Sequence, residues 1–259
     1  MAVKNARNIL ALKRRKARDT ERKYLIEGVR LCEEALRSNA PVEQMVFCRD
    51  TVRQNERLQR LLGDAEGRGV FVQQTDRRAM RGMCDTQTPQ GVLGVVQMPA
   101  WDRRRALVLP SPLLLLDRVR DPGNLGLMMR TAEAAGAGAL FLSRGCVELY
   151  NPKVVRASMG AIYRLPVFSD EALTDALKDL RLQGRFTLAA HMDGEPFHRL
   201  TQKGPVALLL GNEAFGIDPA LTARADARVS IPMAEPVESL NVAVAAGILL
   251  YKFAENQQV

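Results

Sequence analysis

The sequence predicts an α/β protein in two parts: a small N-terminal α/β domain, then a larger domain whose parallel sheet carries helices on both faces. Three observations carry this reading. Continuous apolar runs of strand length, such as Leu113-Leu114-Leu115-Leu116, recur through the second part, as in strands buried on both faces. Helical patterns alternate with those runs, the order that builds a parallel sheet through crossover connections. Between the parts, Pro99-Ala100-Trp101-Asp102-Arg103-Arg104-Arg105 reads as a linker, which sets the domains at 1–98 and 107–259 with 99–106 between them.

In the first part a basic helix is expected from Lys4 to about Lys16, where Ile9, Leu10 and Leu12 lie among cations. A short strand, Tyr24-Leu25-Ile26, passes through Glu27-Gly28 into a helix ending near Ser38. Then come a strand at Gln44 to Cys48, an arginine-rich helix from Val52 to Leu62, and a strand at Val70 to Val72. Thr75 or Asp76 caps a short helix ending near Cys84, and Gly91 to Met98 is an apolar strand. In the second part, strands are expected at Leu113–Leu116, Ala139–Leu142, Thr187–Ala190, Val206–Leu210 and Val229–Ile231. Helical patterns lie at Leu125–Ala135, Asp170–Gln183 and Leu240–Ala254.

Composition narrows the function classes. Apolar residues at 47% and charged residues at 25% of 259 positions exclude wholesale disorder and collagen-like repeats. No apolar run is long enough for a membrane span, and the N-terminus is too basic for a secretory signal. Four dispersed cysteines without a C-x-x-C pair, and two histidines, argue against zinc and for a reducing cytoplasm. Of a net charge of +8, a surplus of seven falls before Leu31, where ten basic residues face Asp19, Glu21 and Glu27. Such a block is either a solvated helix face or the footprint of a polyanion, usually nucleic acid.

Three loops of the second part hold the chemistry-bearing residues, at the strand ends where parallel sheets place their ligands. In Asp117 to Arg130, Asn124 can cap the following helix, Gly126 permits close backbone approach, and Arg130 falls about one and a half turns inside. The second loop is Leu210-Gly211-Asn212-Glu213-Ala214-Phe215-Gly216, a strand end and tight turn. The third runs from Ile231 through Met233, Glu238, Ser239, Leu240 and Asn241 into a small-residue helix at Gly247. The glycines do not have G-x-G-x-x-G spacing, which disfavours a nicotinamide-dependent enzyme.

In this order and spacing, the three loops resemble the motifs of the SpoU (TrmH-like) branch of the SPOUT methyltransferases. N-x-G-x-x-x-R at Asn124–Arg130, L-G-N-E-x-x-G at Leu210–Gly216 and the Ile231–Gly247 segment match its three motifs, as Asn151–Ala161 matches a further family segment. Leu25–Arg30 and Thr88–Gly91 resemble the ribosomal-protein-L30e-like substrate-binding domain that many members carry. The resemblance implies a deep trefoil knot in the second domain, an exception to unknotted chains. It implies S-adenosylmethionine as cofactor, with Gly211, Ile231 and Leu240 as contacts and Leu210, Met233 and Asn241 as neighbours. It also implies a homodimer with active sites drawn from both subunits, no metal, and methylation of a ribose 2′-hydroxyl in RNA. In the family the arginine matching Arg130 is often cast as a general base. Because a guanidinium does not readily release its proton, the preferred expectation is that Arg130 stabilises the emerging alkoxide and docks a phosphate. Asn124, Ser239 and Asn241 orient the ribose and loops, and Glu213 braces the site or accepts a proton.

The appended N-terminal domain favours ribosomal RNA of 23S type over tRNA as substrate. Two alternatives stay open at this point: a tRNA 2′-O-methyltransferase, and an RNA-binding or ribosome-assembly factor that has lost catalysis.

Overall fold

The computed structural model describes residues 6–202 and 204–255, so Lys4 of the expected basic helix lies outside the described residues. The chain folds as two units, one made by the chain up to Ala100 with Tyr150–Tyr163, the other by Trp101–Leu149 with the chain from Arg164 onward. Elements of the first unit run Ala6–Ala11 (α1), Arg15–Glu21 (α2), Lys23–Glu27 (β1), Val29–Arg37 (α3), Val42–Cys48 (β2), Arg49–Val52 (α4), Glu56–Gly67 (α5), Phe71–Thr75 (β3), Arg77–Met83 (α6) and Val92–Gln97 (β4). The second begins with Arg103–Leu107 (α7), Leu113–Leu116 (β5), Pro122–Ala134 (α8) and Ala139–Ser143 (β6). Pro152–Ala157 (α9) and a 3-10 turn at Ala161–Tyr163 belong to the first. The chain ends with Val167–Glu171 (β7), Leu173–Leu182 (α10), Phe186–Pro196 (β8), Val206–Leu210 (β9), Pro219–Thr222 (α11), Ala227–Ser230 (β10) and Val242–Glu255 (α12).

The first unit is built on a mixed sheet ordered β1-β4-β2-β3, with β4 antiparallel to both β1 and β2. From Ala6 onward the basic N-terminal stretch is packed into this unit. Ile9 and Leu12 are buried in a cluster with Val46, Met80, Met83 and Leu93. Lys13 Nζ donates to the Cys84 carbonyl at 2.8 Å, and the buried Arg18 donates to the carbonyls of Leu12 and Lys13. Those two carbonyls lie in the break just after α1, so Arg18 satisfies groups a broken helix leaves open. That is why the single helix expected to Lys16 is two. The helix expected from Val52 breaks likewise, where Asn55 accepts from Leu58 N at 3.1 Å and caps α5. Segment Tyr150–Tyr163, which the sequence assigns to the second part, packs α9 on β1. Its Tyr150 ring lies 4.6 Å from that of Tyr24, and Tyr163 donates to the Leu31 carbonyl at 3.2 Å.

The second unit holds a six-stranded sheet ordered β10-β8-β9-β5-β6-β7, every pairing parallel. Its central strand β5 is fully buried between Ala139–Leu142 and Ala207–Leu210. Leu113, Leu115, Phe141 and Leu209 face one layer, with Leu173, Ala176, Leu177 and Leu180 of α10. Their alternates, such as Leu114 and Leu208, are equally buried and point to the other face, as strand periodicity requires. There α12 packs on β9 and on α8. The stretch read as a linker contains α7, fixed into this unit because Arg103 pairs with Glu171 and Asp179, each at 3.0 Å, and lies over the Phe141 ring. Strand β7 was not anticipated: it is a half-exposed edge whose polar residues extended the α10 pattern backwards. Among the described residues, no helix is long and apolar enough to cross a membrane.

Candidate active site

The C-terminal ends of β8, β9 and β10 open into a cavity of about 590 Å³, within the size range of small-ligand sites. Gly211, Ile231 and Leu240, singled out as cofactor contacts, all line it, as do the expected neighbours Leu210 and Met233 but not Asn241. Glu213 and Ser239 line it too. Its body is apolar, from Ile217, Val229 and Leu249, and its polar groups are few. Such a surface fits a ligand with a flat apolar body and polar ends.

The turn after β9 explains why glycine occupies position 211. A Cβ there would lie 2.2 Å from the Gly216 carbonyl carbon and 2.3 Å from Ile217 N. The crowding comes from the returning limb of the loop itself, so the residue's first task is to let the loop close. Asn212 then locks the turn: its backbone exchanges hydrogen bonds with Gly216 at 2.9 and 3.1 Å, and its Oδ1 accepts from Ala214 N and Phe215 N.

Three of the residues assigned to catalysis form one chain of hydrogen bonds. Asn241 Nδ2 donates to Asn124 Oδ1 at 2.9 Å, and Asn124 Nδ2 donates to Glu213 Oε1 at 2.5 Å. Asn124 is not the cap of α8, as its position had suggested. Asp121 is the cap, accepting from Asn124 N at 2.7 Å with Pro122 in the first turn. That leaves the Asn124 amide free to bridge. Asn241 is itself a cap, accepting from Ala243 N at 2.9 Å, and so ties the start of α12 to the start of α8. The bridge fixes the Glu213 carboxylate at the cavity wall.

Ser239 lines the cavity from an exposed loop, while Arg130 stands apart from the bonded chain. Arg130 is exposed on α8, and its guanidinium makes no hydrogen bond or ion pair with any described residue.

Sequence reasoning missed a buried bracket behind these loops. Asp117, at the end of β5, accepts from Ser143 Oγ at 3.0 Å, from Asp218 N at 3.0 Å and from the Arg118 guanidinium at 2.9 Å. One carboxylate thus joins the ends of β5 and β6 to the loop after β9. The signal was available: an acid directly after a fully apolar strand rarely stays buried without several donors. His191 and Glu238 also line the cavity. Nothing in the sequence distinguishes His191 from an ordinary strand-end residue. Among the described residues, no group of three or more His, Cys, Asp or Glu side chains is placed to hold a metal ion.

Comparison with known proteins places these features in context. The sequence matches the SpoU rRNA Methylase family over residues 111–251 and the MRM3-like substrate binding domain over residues 3–94. It is 35% identical over 238 residues to a 23S rRNA (guanosine(2553)-2′-O)-methyltransferase, RlmP, of Bacillus subtilis, covering 92% of this chain and 90% of the relative. It is 32% identical to a 23S rRNA (guanosine-2′-O-)-methyltransferase, RlmB, of Ralstonia nicotianae, over 91% of this chain and 96% of the relative. Among solved structures, an AdoMet-bound rRNA methyltransferase from Sinorhizobium meliloti superposes with a TM-score of 0.85 at 29% identity, covering 100% of this chain and 97% of that one.

Proposed function

The chain belongs to the SpoU rRNA methylase family, and from that membership we propose that it methylates the ribose 2′-hydroxyl of a nucleotide in ribosomal RNA, using S-adenosylmethionine. The observation that carries this reading is the cavity at the strand ends, walled by the second and third of the loops that bear the family motifs.

The cavity residues fit the cofactor. Ile231, Leu240 and Leu249 offer apolar surface for an adenine ring, and the Leu210–Asn212 and Ile231–Met233 segments offer backbone groups beside it. Glu213 and Glu238 put negative charge in the cavity wall, which would suit a cofactor that carries a sulfonium cation. When bound, S-adenosylmethionine supplies an electrophilic methyl group on a positively charged sulfur. The protein's part is to present the ribose oxygen and to carry the charge that develops on it. Arg130 donates to that oxygen and to the adjoining phosphate, as a fixed cation with five N–H groups. The Asn241–Asn124–Glu213 bridge holds the carboxylate beside the cavity.

The working form is a homodimer in the cytoplasm. Gly247 lets α12 close on Thr131 of α8, and the two helices leave Leu127, Val244 and Tyr251 half exposed. Pairing two copies across this face covers those residues and carries Arg130, one turn beyond Leu127, to the boundary between protomers. All four cysteines are free, in keeping with a reducing compartment.

The test is incubation with labelled S-adenosylmethionine and RNA from a strain lacking the gene, followed by ribose-methylation mapping. One 2′-O-methyl site in ribosomal RNA is expected. Label in tRNA alone, or on a base, would overturn the assignment.

A further inference from the structure

The turn beside the cavity presents an aromatic ring that the described residues leave largely uncovered. Phe215 is 76% exposed, although Glu213 and Gly216 of the same turn line the cavity. The backbone that carries the ring is held in place: Phe215 N donates to Asn212 Oδ1 at 3.2 Å, inside the turn closed by Asn212 and Gly216. Asn212 Nδ2 also donates to the Arg118 carbonyl at 2.9 Å. From there the bonding reaches a third loop, through Arg118 N to Ser143 Oγ at 2.9 Å and Val147 N to the Val119 carbonyl at 2.8 Å. These joined loops hold Arg120 and Arg144. Both are exposed, and neither guanidinium is bonded or ion-paired to any described residue. Arg118, by contrast, is tied to Asp117.

We propose that Phe215 is a stacking platform for an unstacked base beside the acceptor nucleotide, with Arg120 and Arg144 gripping the phosphates that flank it. The proposal rests on the RNA methyltransferase reading and deepens it. A ribose can enter the cavity only if its nucleotide leaves the regular helical stack, and the displaced base then needs a surface. An aromatic face among free cations meets both needs of a single-stranded segment, since every base has a π-face and every linkage a negative charge. The rigid turn means little ordering is lost on contact. A ring so exposed contributes little to folding, so it can be changed without disturbing the unit.

The experiment compares the wild type with Phe215→Ala, Phe215→Leu, Phe215→Tyr and an Arg120→Gln/Arg144→Gln double variant. Ribosomal RNA from a strain lacking the gene serves as substrate and in filter binding; S-adenosylmethionine binding is measured separately by calorimetry. Ala and Leu should raise KM and Kd for RNA about tenfold, the scale of one lost base–aromatic stack, with kcat and cofactor affinity unchanged. Tyr should behave as wild type. The double arginine variant should flatten the salt dependence of binding by about 1.4 in log–log slope. RNA affinity unchanged in Phe215→Ala, or kept in Phe215→Leu, would overturn the platform. So would a shift of dimer dissociation to higher concentration in Phe215→Ala, which would place the ring in a subunit contact. If the wild type transfers no methyl group, the parent reading fails, and filter binding alone still decides the role of Phe215.

Discussion

Arg130 and Asn124 are separated by less than two turns of α8, yet their surroundings differ completely. Asn124 is held by partners on both sides, Glu213 and Asn241, whereas Arg130 is an exposed cation with no partner among the described residues. A group that meets only RNA and the developing alkoxide should be separable from cofactor binding. Arg130→Ala is therefore expected to abolish methyl transfer while S-adenosylmethionine affinity, by calorimetry, stays within a few-fold. Loss of both together would show that the arginine supports the cavity instead. The two asparagines divide differently. Asn124→Ala and Asn241→Ala both break the bridge to Glu213 and should both lower kcat, but only the second removes the cap of α12. Chemical denaturation should find Asn241→Ala less stable by about 1 kcal/mol and Asn124→Ala close to wild type. Equal destabilisation by both would mean that Asn124 is structural. The chemistry-bearing letters were legible in the sequence because they come in fixed spacings. Which letter caps which helix was not, since Asp121 and Asn124 compete for that role and only the bridge decides it.

At the scale of elements, the buried strands were the most legible. Leu113–Leu116 and Val206–Leu210 were bounded to the residue, because apolar runs end where the chain reaches the polar rim. Edge and connecting elements were read poorly. Strand β7 is an edge whose burial does not alternate, and α7 is a five-residue helix held by Arg103, so neither leaves a periodic trace of useful length. The turn after β9 shows how element geometry restricts a site. A Cβ at Gly211 would meet backbone at 2.2 Å, and backbone, unlike a flexible side chain, has no rotamer to yield. Gly211→Ala should therefore open the Asn212–Gly216 turn and displace Glu213 from the cavity wall. S-adenosylmethionine binding is expected to be lost even with this smallest added side chain. Retained binding in Gly211→Ala would mean that the loop can close another way.

At the scale of the whole molecule, buried ionisable groups tie stability to pH. Burial holds the Cys84 thiol and the Tyr150 hydroxyl up to about 12, and pushes Cys32 and Tyr24 upward as well. The unfolded chain releases these protons from about pH 9 to 10 upward, while the folded chain keeps them. Stability is thus whole below pH 9 and falls as pH climbs toward 12. In the second unit Arg185, lowered to about 10 by burial, acts in the opposite sense above pH 10. Urea midpoints should drop between pH 8 and pH 11, and a Cys32→Ala/Cys84→Ala variant should drop less. An unchanged wild-type midpoint would contradict the burial argument.

The basic N-terminus gives the molecule its clearest long-range signature, and the structure changes how it must be tested. Removing the chain through Arg18 would also remove Ile9 and Leu12 from the core, so lost RNA binding could simply report lost folding. Several of the cations are committed within the fold: Lys13 and Arg18 to carbonyls, Arg15 to Asp19, and Lys23 to Glu43. Among the described residues Arg7, Arg14, Lys16 and Arg30 make no side-chain hydrogen bond or ion pair. Structural cations are used up by their carbonyls and carboxylates, so the free ones are those that can displace counterions from RNA. Replacing Arg7, Arg14 and Lys16 with Gln keeps the buried residues in place while removing three charges. If each neutralises a phosphate, the log–log salt slope of binding to ribosomal RNA should shrink by about 2, with S-adenosylmethionine affinity unchanged. A full slope in the triple variant, with an unaltered urea midpoint, would make these residues a solvated face and move the RNA footprint elsewhere on the protein.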